Sequence, residues 1–160
     1  MVQIEMKGIF RASREKLMKV LEMHFDETLI GQIHPGVTQR TLSREGWRAT
    51  FVREWPLGRR VWRATWRCEL THPEKYRIEI LASEGPIEKG FYLENTYAEE
   101  PEGTLISTRG EINIRGVPRF LQSWLTERSL TRSDQQDLNF LRKVDRWWLK
   151  ATVDWRGIVG

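Results

Sequence analysis

Cysteine is nearly absent from this chain, which has a single one, Cys68, among 160 residues. One cysteine excludes an intramolecular disulfide and cannot build a zinc ribbon or an iron–sulfur site. A lone thiol is typical of a reducing compartment, so we expect a cytoplasmic protein. Long apolar runs are missing too, because no stretch approaches the roughly 18–20 residues that span a bilayer. The first residues lack the basic and apolar pattern of a signal peptide, so we expect none.

Histidine is scarce as well, with three residues, and no two of them lie within five positions of each other. A metal site needs several convergent ligands, so we predict no metal ion. The chain contains no glycine-rich phosphate loop, no G-x-S-x-G nucleophile elbow and no H-E-x-x-H pair. We therefore predict no cofactor.

Two features are abundant, namely tryptophan, with eight residues, and arginine in one segment. Residues 39–67 hold eight Arg and two Glu, a local charge of +6, whereas the whole chain carries +4. Hydrophobic residues at 39% and charged residues at 30% are typical of a folded chain. The length fits one domain over 1–160.

The pattern of apolar residues changes its period along the chain. Alternation predicts a strand over 2–10, and apolar residues at helical spacing after Ser13 predict a first helix. A second short helix is expected over 26–30. Turn residues then separate six short segments that alternate in polarity, with no helix between them, which predicts an antiparallel meander. These strands are expected at 37–43, 47–55, 59–71, 75–84, 90–99 and 104–115.

Pro118 is followed by a long stretch, 119–151, that contains neither proline nor glycine. Pro118 fits the first turn of a helix, so we predict a long C-terminal helix that covers the sheet. The polar residues 131–134 leave open whether this is one helix or two. After Trp148 the tail either extends the helix or folds back. Alternation within the strands predicts one covered and one solvated face, with Trp62, Trp66 and Cys68 on the covered side.

This order of elements resembles the helix-grip fold of the START-like, or SRPBCC, superfamily. The resemblance covers nearly the whole chain and is carried locally by residues 10–17, the 33–37 entry to the second strand, Gly90, and Gly103 with Thr104. It implies an α+β fold in which a curved antiparallel sheet of about seven strands wraps a long C-terminal helix. In that superfamily the space between sheet and helix binds a small hydrophobic molecule, and chemistry there is optional.

The resemblance and the alternation together give a set of predicted cavity residues. Asn95 shares a face with aromatic residues and could orient a polar group of a ligand or bond to the backbone. Arg53 could anchor an anion there, unless its strand has its faces reversed. A solid core filled by tryptophans stays open as the alternative. The predicted set is Arg53, Trp62, Trp66, Phe91, Leu93, Asn95, Tyr97, Ile112, Trp124, Leu141 and Trp148.

Candidates for acid–base chemistry are few. His34 precedes Pro35 and Gly36 in a loop that can lie near a cavity mouth, so it is a weak candidate for a general base. Asp145 falls on an apolar helix face, where a carboxylate is costly unless it is paired. We expect Asp145 to pair with Arg142 or a strand arginine if it is not catalytic.

Three functions follow, of which we favour binding or transport of a small hydrophobic or amphipathic ligand that is lipid-, polyketide- or quinone-like. The first alternative is an enzyme of the cyclase, aromatase or dehydratase type in the same cavity. The second is a protein-interaction module similar to START-like activators of a chaperone, which would use a basic outer face. The Arg/Trp segment 47–67 invites a nucleic-acid interpretation. However, its tryptophans and arginines alternate onto opposite faces, which disfavours nucleic acid as a partner.

Overall fold

The computed structural model describes residues 2–26, 38–57, 59–144 and 153–159. Within these ranges the chain forms strands and two helices in an α+β arrangement, as predicted. The elements are β1 (Val2–Phe10), α1 (Arg14–Met23), β2 (Thr38–Glu45), β3 (Arg48–Leu57), β4 (Arg60–Thr71), β5 (Lys75–Ser83), β6 (Tyr92–Glu100), β7 (Gly103–Ile112), α2 (Arg119–Val144) and β8 (Val153–Val159).

The described strands form one antiparallel sheet in the order β2-β3-β4-β5-β6-β7-β1-β8. The six consecutive strands from β2 to β7 make the predicted meander, and β1 closes onto β7 along its whole length. Of the two courses predicted for the tail, the structure shows the second, in which the chain folds back. Its strand β8 pairs with residues 5–10 of β1. The predicted second short helix falls mostly within 27–37, outside the described residues.

Both helices begin where the sequence indicates. Ser13 caps α1, since its hydroxyl accepts a hydrogen bond from the Lys16 N–H at 3.3 Å. In the first turn of α2, the carbonyl of Pro118 accepts from the Leu121 N–H at 2.9 Å. The helix α2 runs unbroken through the polar residues 131–134 to Val144, so one helix forms over this span.

The sheet face that packs against the helices, here called the inner face, carries two apolar clusters. The first lies beneath α1 and includes Leu17, Leu21, Leu70 and Tyr97. The second lies beneath the middle of α2, where Leu130 packs against a group of strand residues and Phe91, which precedes β6. That group is Ile4, Met6, Ala64, Trp66, Ile80, Phe91, Leu93 and Ile112.

The opposite, outer face carries rows of alternating charge. One cross-strand row runs through Arg48, Glu69, Arg77, Glu94 and Arg109 on five successive strands. The Arg109–Glu94 contact measures 2.8 Å, and Arg77–Glu94 and Arg48–Glu69 each measure 3.5 Å. In the basic segment, Arg48, Arg63 and Arg67 are each paired with a glutamate on a neighbouring strand. The predicted solvated face exists, but its cations are largely paired.

Gly103 opens β7 with φ of +140°, a conformation that L side chains rarely adopt. A Cβ at this position would lie 2.3 Å from the carbonyl oxygen of Phe10. Glycine is therefore required where the β6–β7 turn approaches the end of β1.

Candidate functional site

The centre of the inner face is not fully closed. Phe51, Tyr76, Ile78 and Asn95 face the helices, yet all four stay half-buried. Their neighbours in the two clusters are mostly below 8% exposed. Solvent therefore reaches the inner face between the clusters.

Two tryptophans of β4 stand at one end of this region. Trp66 is 7% exposed and meets Phe91 edge to face, with ring centroids 5.8 Å apart. Trp62 lies four residues before Trp66 on the same face of β4. It packs on the β5–β6 turn, where a Cβ on Gly85 would lie 3.3 Å from the Trp62 ring. Among the residues that the structure describes, neither buried indole N–H finds a hydrogen-bond acceptor. Buried donors are normally satisfied, so this pair needs an explanation.

Arg53 lies beside the indole of Trp66. Its register partner on β4 is Ala64, which is 1% exposed, so Arg53 points to the inner face as predicted. Its guanidinium carbon lies 5.6 Å from the centre of the Trp66 ring, within the range of a cation–π contact. A positive charge is thus held over the ring of Trp66, one of the two tryptophans with an unsatisfied donor.

Cys68 follows Trp66 on the same face and is buried. Burial raises the pKa of its thiol to about 11. A hydrogen bond with Tyr76 and the charge of Arg53 lower this pKa, but by less than burial raises it. The thiol is therefore protonated and unreactive at neutral pH.

Asn95 sits near the middle of the inner face. Its side-chain oxygen accepts a hydrogen bond of 2.7 Å from the hydroxyl of Thr108, its partner on β7, which is 2% exposed. The sequence left open what would satisfy this amide, and part of the answer is Thr108 on the neighbouring strand.

The structure divides the predicted cavity residues into two groups. Phe91, Leu93 and Ile112 are at most 7% exposed and belong to the same cluster as Trp66. Tyr97 is 4% exposed but belongs to the other cluster, beneath α1. The tryptophan end and the tyrosine end of the predicted cavity are therefore different places.

Trp124 was predicted to face inward, and this is wrong, because it is 49% exposed on α2. The residues that α2 turns toward the sheet are instead Gln122 and Thr126, at 4% and 7% exposure. Sequence reasoning missed both because it followed the apolar stripe. The available signal was a polar pair at a spacing of four, which places both side chains on one helix face.

The structure does not describe the side chains of the remaining predicted residues. Leu141 lies in α2, where its side chain is not described. His34, Asp145 and Trp148 lie outside the described residues. Among the inner-face residues described above, Arg53 is the one that carries a charge at neutral pH, and none is a carboxylate or an imidazole. Across the described ranges, no group of three or more His, Cys, Asp or Glu could hold a metal ion.

The turn between β5 and β6 borders Trp62 and is fastened at several points. The Glu84 N–H donates to the Arg63 carbonyl at 2.9 Å, and the Glu88 N–H donates to the Asn113 carbonyl at 3.0 Å. The Arg115 N–H donates to the Pro86 carbonyl at 2.8 Å. This turn is therefore joined to the end of β7 and, through it, to the start of α2.

Comparisons with known proteins bear on the fold. No family model matches the chain, and no curated protein matches it. Solved structures do match. Ara h 8.0201 superimposes with a TM-score of 0.69 at 11% identity, over 88% of this chain and 97% of its own. The Zhui aromatase/cyclase from Streptomyces sp. R1128 gives 0.57 at 12% identity, over 87% and 90%.

The di-domain ARO/CYC StfQ from the steffimycin biosynthetic pathway gives a TM-score of 0.65 at 10% identity, over 87% of this chain. The chain spans about half the length of that protein, 49%. These likenesses show that the chain has the helix-grip fold, which confirms the predicted fold class. None of the helices in the described ranges is long and apolar enough to cross a bilayer.

Proposed function

We propose that the protein binds or carries a small, largely apolar molecule on the inner face, with a hydrogen-bond acceptor of that molecule directed at Trp62, Trp66 and Arg53. The observation that carries the proposal is the pair of buried indole N–H groups without an acceptor in the described part of the chain. The helix-grip fold of the solved neighbours supports the same location between sheet and helix.

The energetics favour an acceptor at this position. A buried donor left unsatisfied costs about 1–3 kcal/mol, and a ligand oxygen that accepts from it removes that cost. The neighbouring guanidinium of Arg53 favours an oxygen that carries negative charge. A carboxylate or an acidic phenol therefore suits the site better than a neutral alcohol, and a cationic head group suits it worst.

The walls around this polar end are apolar. Phe91, Leu93 and Ile112 offer ring and aliphatic surface, and half-buried Phe51 and Ile78 remain open to contact. Removing apolar surface from water contributes about 25 cal/mol per Å². The apolar body of the ligand thus provides affinity, and the tryptophan–arginine end sets its orientation.

Titration calorimetry with three ten-carbon probes tests the proposal, because decanoate, decanol and decyltrimethylammonium share a chain and differ in head-group charge. We expect affinity to fall in that order. Arg53→Met should lower decanoate affinity by about tenfold, since a charged hydrogen bond is worth about 1.5–3 kcal/mol. Trp66→Phe removes one N–H and should lower it severalfold.

Arg63→Met is the matched control, because Arg63 lies on the outer face of β4, the strand next to that of Arg53, and pairs with Glu54 at 2.8 Å. Its affinity should equal that of the wild type. The proposal fails if none of the probes binds below about 1 mM, or if the head-group preference survives Arg53→Met.

Cyclase-type chemistry is the second candidate, favoured by the likeness to proteins whose names include aromatase/cyclase. It requires a titratable group within hydrogen-bond reach of a bound substrate. His34 and Asp145 remain the candidates for that role. A probe carrying adjacent ketones would be turned over by the wild type and not by His34→Ala or Asp145→Asn if this candidate holds. A binding protein would leave the same probe unchanged.

A further inference from the structure

The first half of α2 presents its apolar residues to solvent. Phe120 is 78% exposed, Trp124 is 49% exposed, and Leu121 and Leu125 are each 38% exposed. Residues four apart lie one above the other on a helix, so these four form a continuous strip over two turns. We call this strip, Phe120, Leu121, Trp124 and Leu125, the docking face.

Specific contacts hold the docking face outward. The side chain of Gln122 accepts from the Ile114 N–H at 3.1 Å and donates to the carbonyls of Ile114 and Val117 at 3.3 and 2.8 Å. Thr126 is buried on the same side of the helix, and Leu130 packs against the second cluster. A rotation of α2 that buried the docking face would break all of these contacts. Its exposure is therefore a property of the folded state.

Positive charge continues along the same side of the helix. Arg128 and Arg132 follow Trp124 at intervals of four, and both are exposed. The guanidinium carbon of Arg128 lies 5.3 Å from the centre of the Trp124 ring. The N-terminal end of a helix also carries a partial positive charge. The exposed side of α2 is thus apolar in its first turns and cationic in the next.

We propose that this side of α2 docks the protein on a membrane surface that contains anionic lipids. Tryptophan and phenylalanine partition into the boundary between head groups and acyl chains, and arginines beside them attract anionic head groups. A stable protein interface needs about 800 Å² and 20–30 residues on each side. A strip of four apolar residues falls well short of that, so a lipid surface suits it better than a second copy of the chain.

The docking face lies at the same end of the sheet as the unsatisfied indoles. Trp62 packs on Gly85, the Pro86 carbonyl bonds to the Arg115 N–H, and Gln122 bonds to Ile114. A bilayer against α2 would therefore border the tryptophan end of the inner face. This placement suits a carrier that exchanges an amphiphile with the membrane, although the docking itself does not depend on the proposed ligand.

Vesicle flotation of the full chain tests the docking. Vesicles of phosphatidylcholine alone are compared with vesicles in which about one-third of the lipid is phosphatidylglycerol. We expect binding to the anionic vesicles to be at least about tenfold tighter, since two arginines near an anionic surface suffice for that factor. Phe120→Ser combined with Leu125→Ser should lower binding about tenfold or more, and Arg128→Gln combined with Arg132→Gln should remove the preference for anionic lipid.

Val61→Ser is the matched control, since Val61 is 66% exposed on β4 and lies outside the docking face. It should float like the wild type. Equal and negligible flotation of the wild type with both vesicles would overturn the docking. So would a stable dimer in sedimentation velocity that Phe120→Ser with Leu125→Ser converts to monomer. Decanoate titration of that double variant separates the two proposals. Vesicle binding can be lost while decanoate affinity stays at the wild-type value, and decanoate binding can be absent while the protein still binds vesicles.

Discussion

Alkaline pH should destabilise the protein through its single thiol. Cys68 is 4% exposed, and burial raises the pKa of its thiol from the ordinary value of 9.0 to about 11. In the unfolded chain the thiol ionises at its ordinary pKa, so above about pH 9 the unfolded state binds fewer protons than the folded state. Stability attributable to Cys68 is therefore complete below pH 9 and is lost as the pH rises toward 11.

The size of the effect follows from the two pKa values. A difference of two pH units corresponds to about 3 kcal/mol at full ionisation of the unfolded thiol. Other groups titrate in this range, so the comparison is between the wild type and Cys68→Ala. The alanine variant should be less stable at pH 8 because it loses packing. That deficit should shrink by up to about 3 kcal/mol at pH 11.

Urea denaturation followed by circular dichroism at both pH values measures this deficit. A second measurement is the rate of thiol alkylation, which reports on Cys68 alone because the chain has no other cysteine. At pH 8, a thiol with a pKa of about 11 has roughly one-hundredth of the thiolate that the ordinary value gives, so alkylation of the folded protein should be at least about 100-fold slower than of the unfolded protein. A deficit that does not change with pH, or equal alkylation rates, would falsify the reasoning.

Two further predictions concern the scaffold. Thr104 is 0% exposed and its hydroxyl donates to the Ala12 carbonyl at 2.9 Å, so Thr104→Val should cost about 1–3 kcal/mol in urea denaturation, with Thr104→Ser nearer to wild type. A loss below about 0.5 kcal/mol would show that this bond contributes little. The hydrogen bond from Arg109 holds the pKa of the Glu94 carboxyl below its usual value. The stability that Glu94 adds is therefore present above the pKa that this carboxyl has in the unfolded chain. It is lost as the pH falls through the lower pKa of the folded state. Acid titration by circular dichroism should therefore unfold Arg109→Met at a higher pH than the wild type, and coincident acid transitions would contradict this.

The strands were predictable because their signal is local. Alternation in β4 places Trp62, Trp66 and Cys68 on one face and Arg63 on the other, and pairing of consecutive strands through short turns preserves that assignment. The observed ends of β1 to β7 lie within three residues of the predicted ones. The inner and outer faces were predictable because side chains of a strand alternate with a period of two, so each strand has only two possible orientations.

The candidate site was predictable in part. Arg53 was expected on the inner face, and its register opposite Ala64 places it there. That two indole N–H groups lack acceptors in the described region could not be predicted, because satisfaction depends on which distant side chains and carbonyls approach them. Asn95 likewise finds Thr108 through strand pairing, thirteen residues further along the chain.

The sequence alone determined the segments that form β1 to β7, α1 and α2, the antiparallel order of the meander and the alternation of strand residues between two faces. These features arise from local periodicity, from turn residues and from connections too short for any other pairing. The tertiary structure decided how α2 is rotated and where the tail pairs. A helix can turn any side toward the sheet, and here Gln122 bonds to Ile114 and Val117, which follow β7, while the apolar strip of Phe120 and Trp124 stays exposed. The tail pairs with the edge of β1, a partner that only the assembled sheet provides.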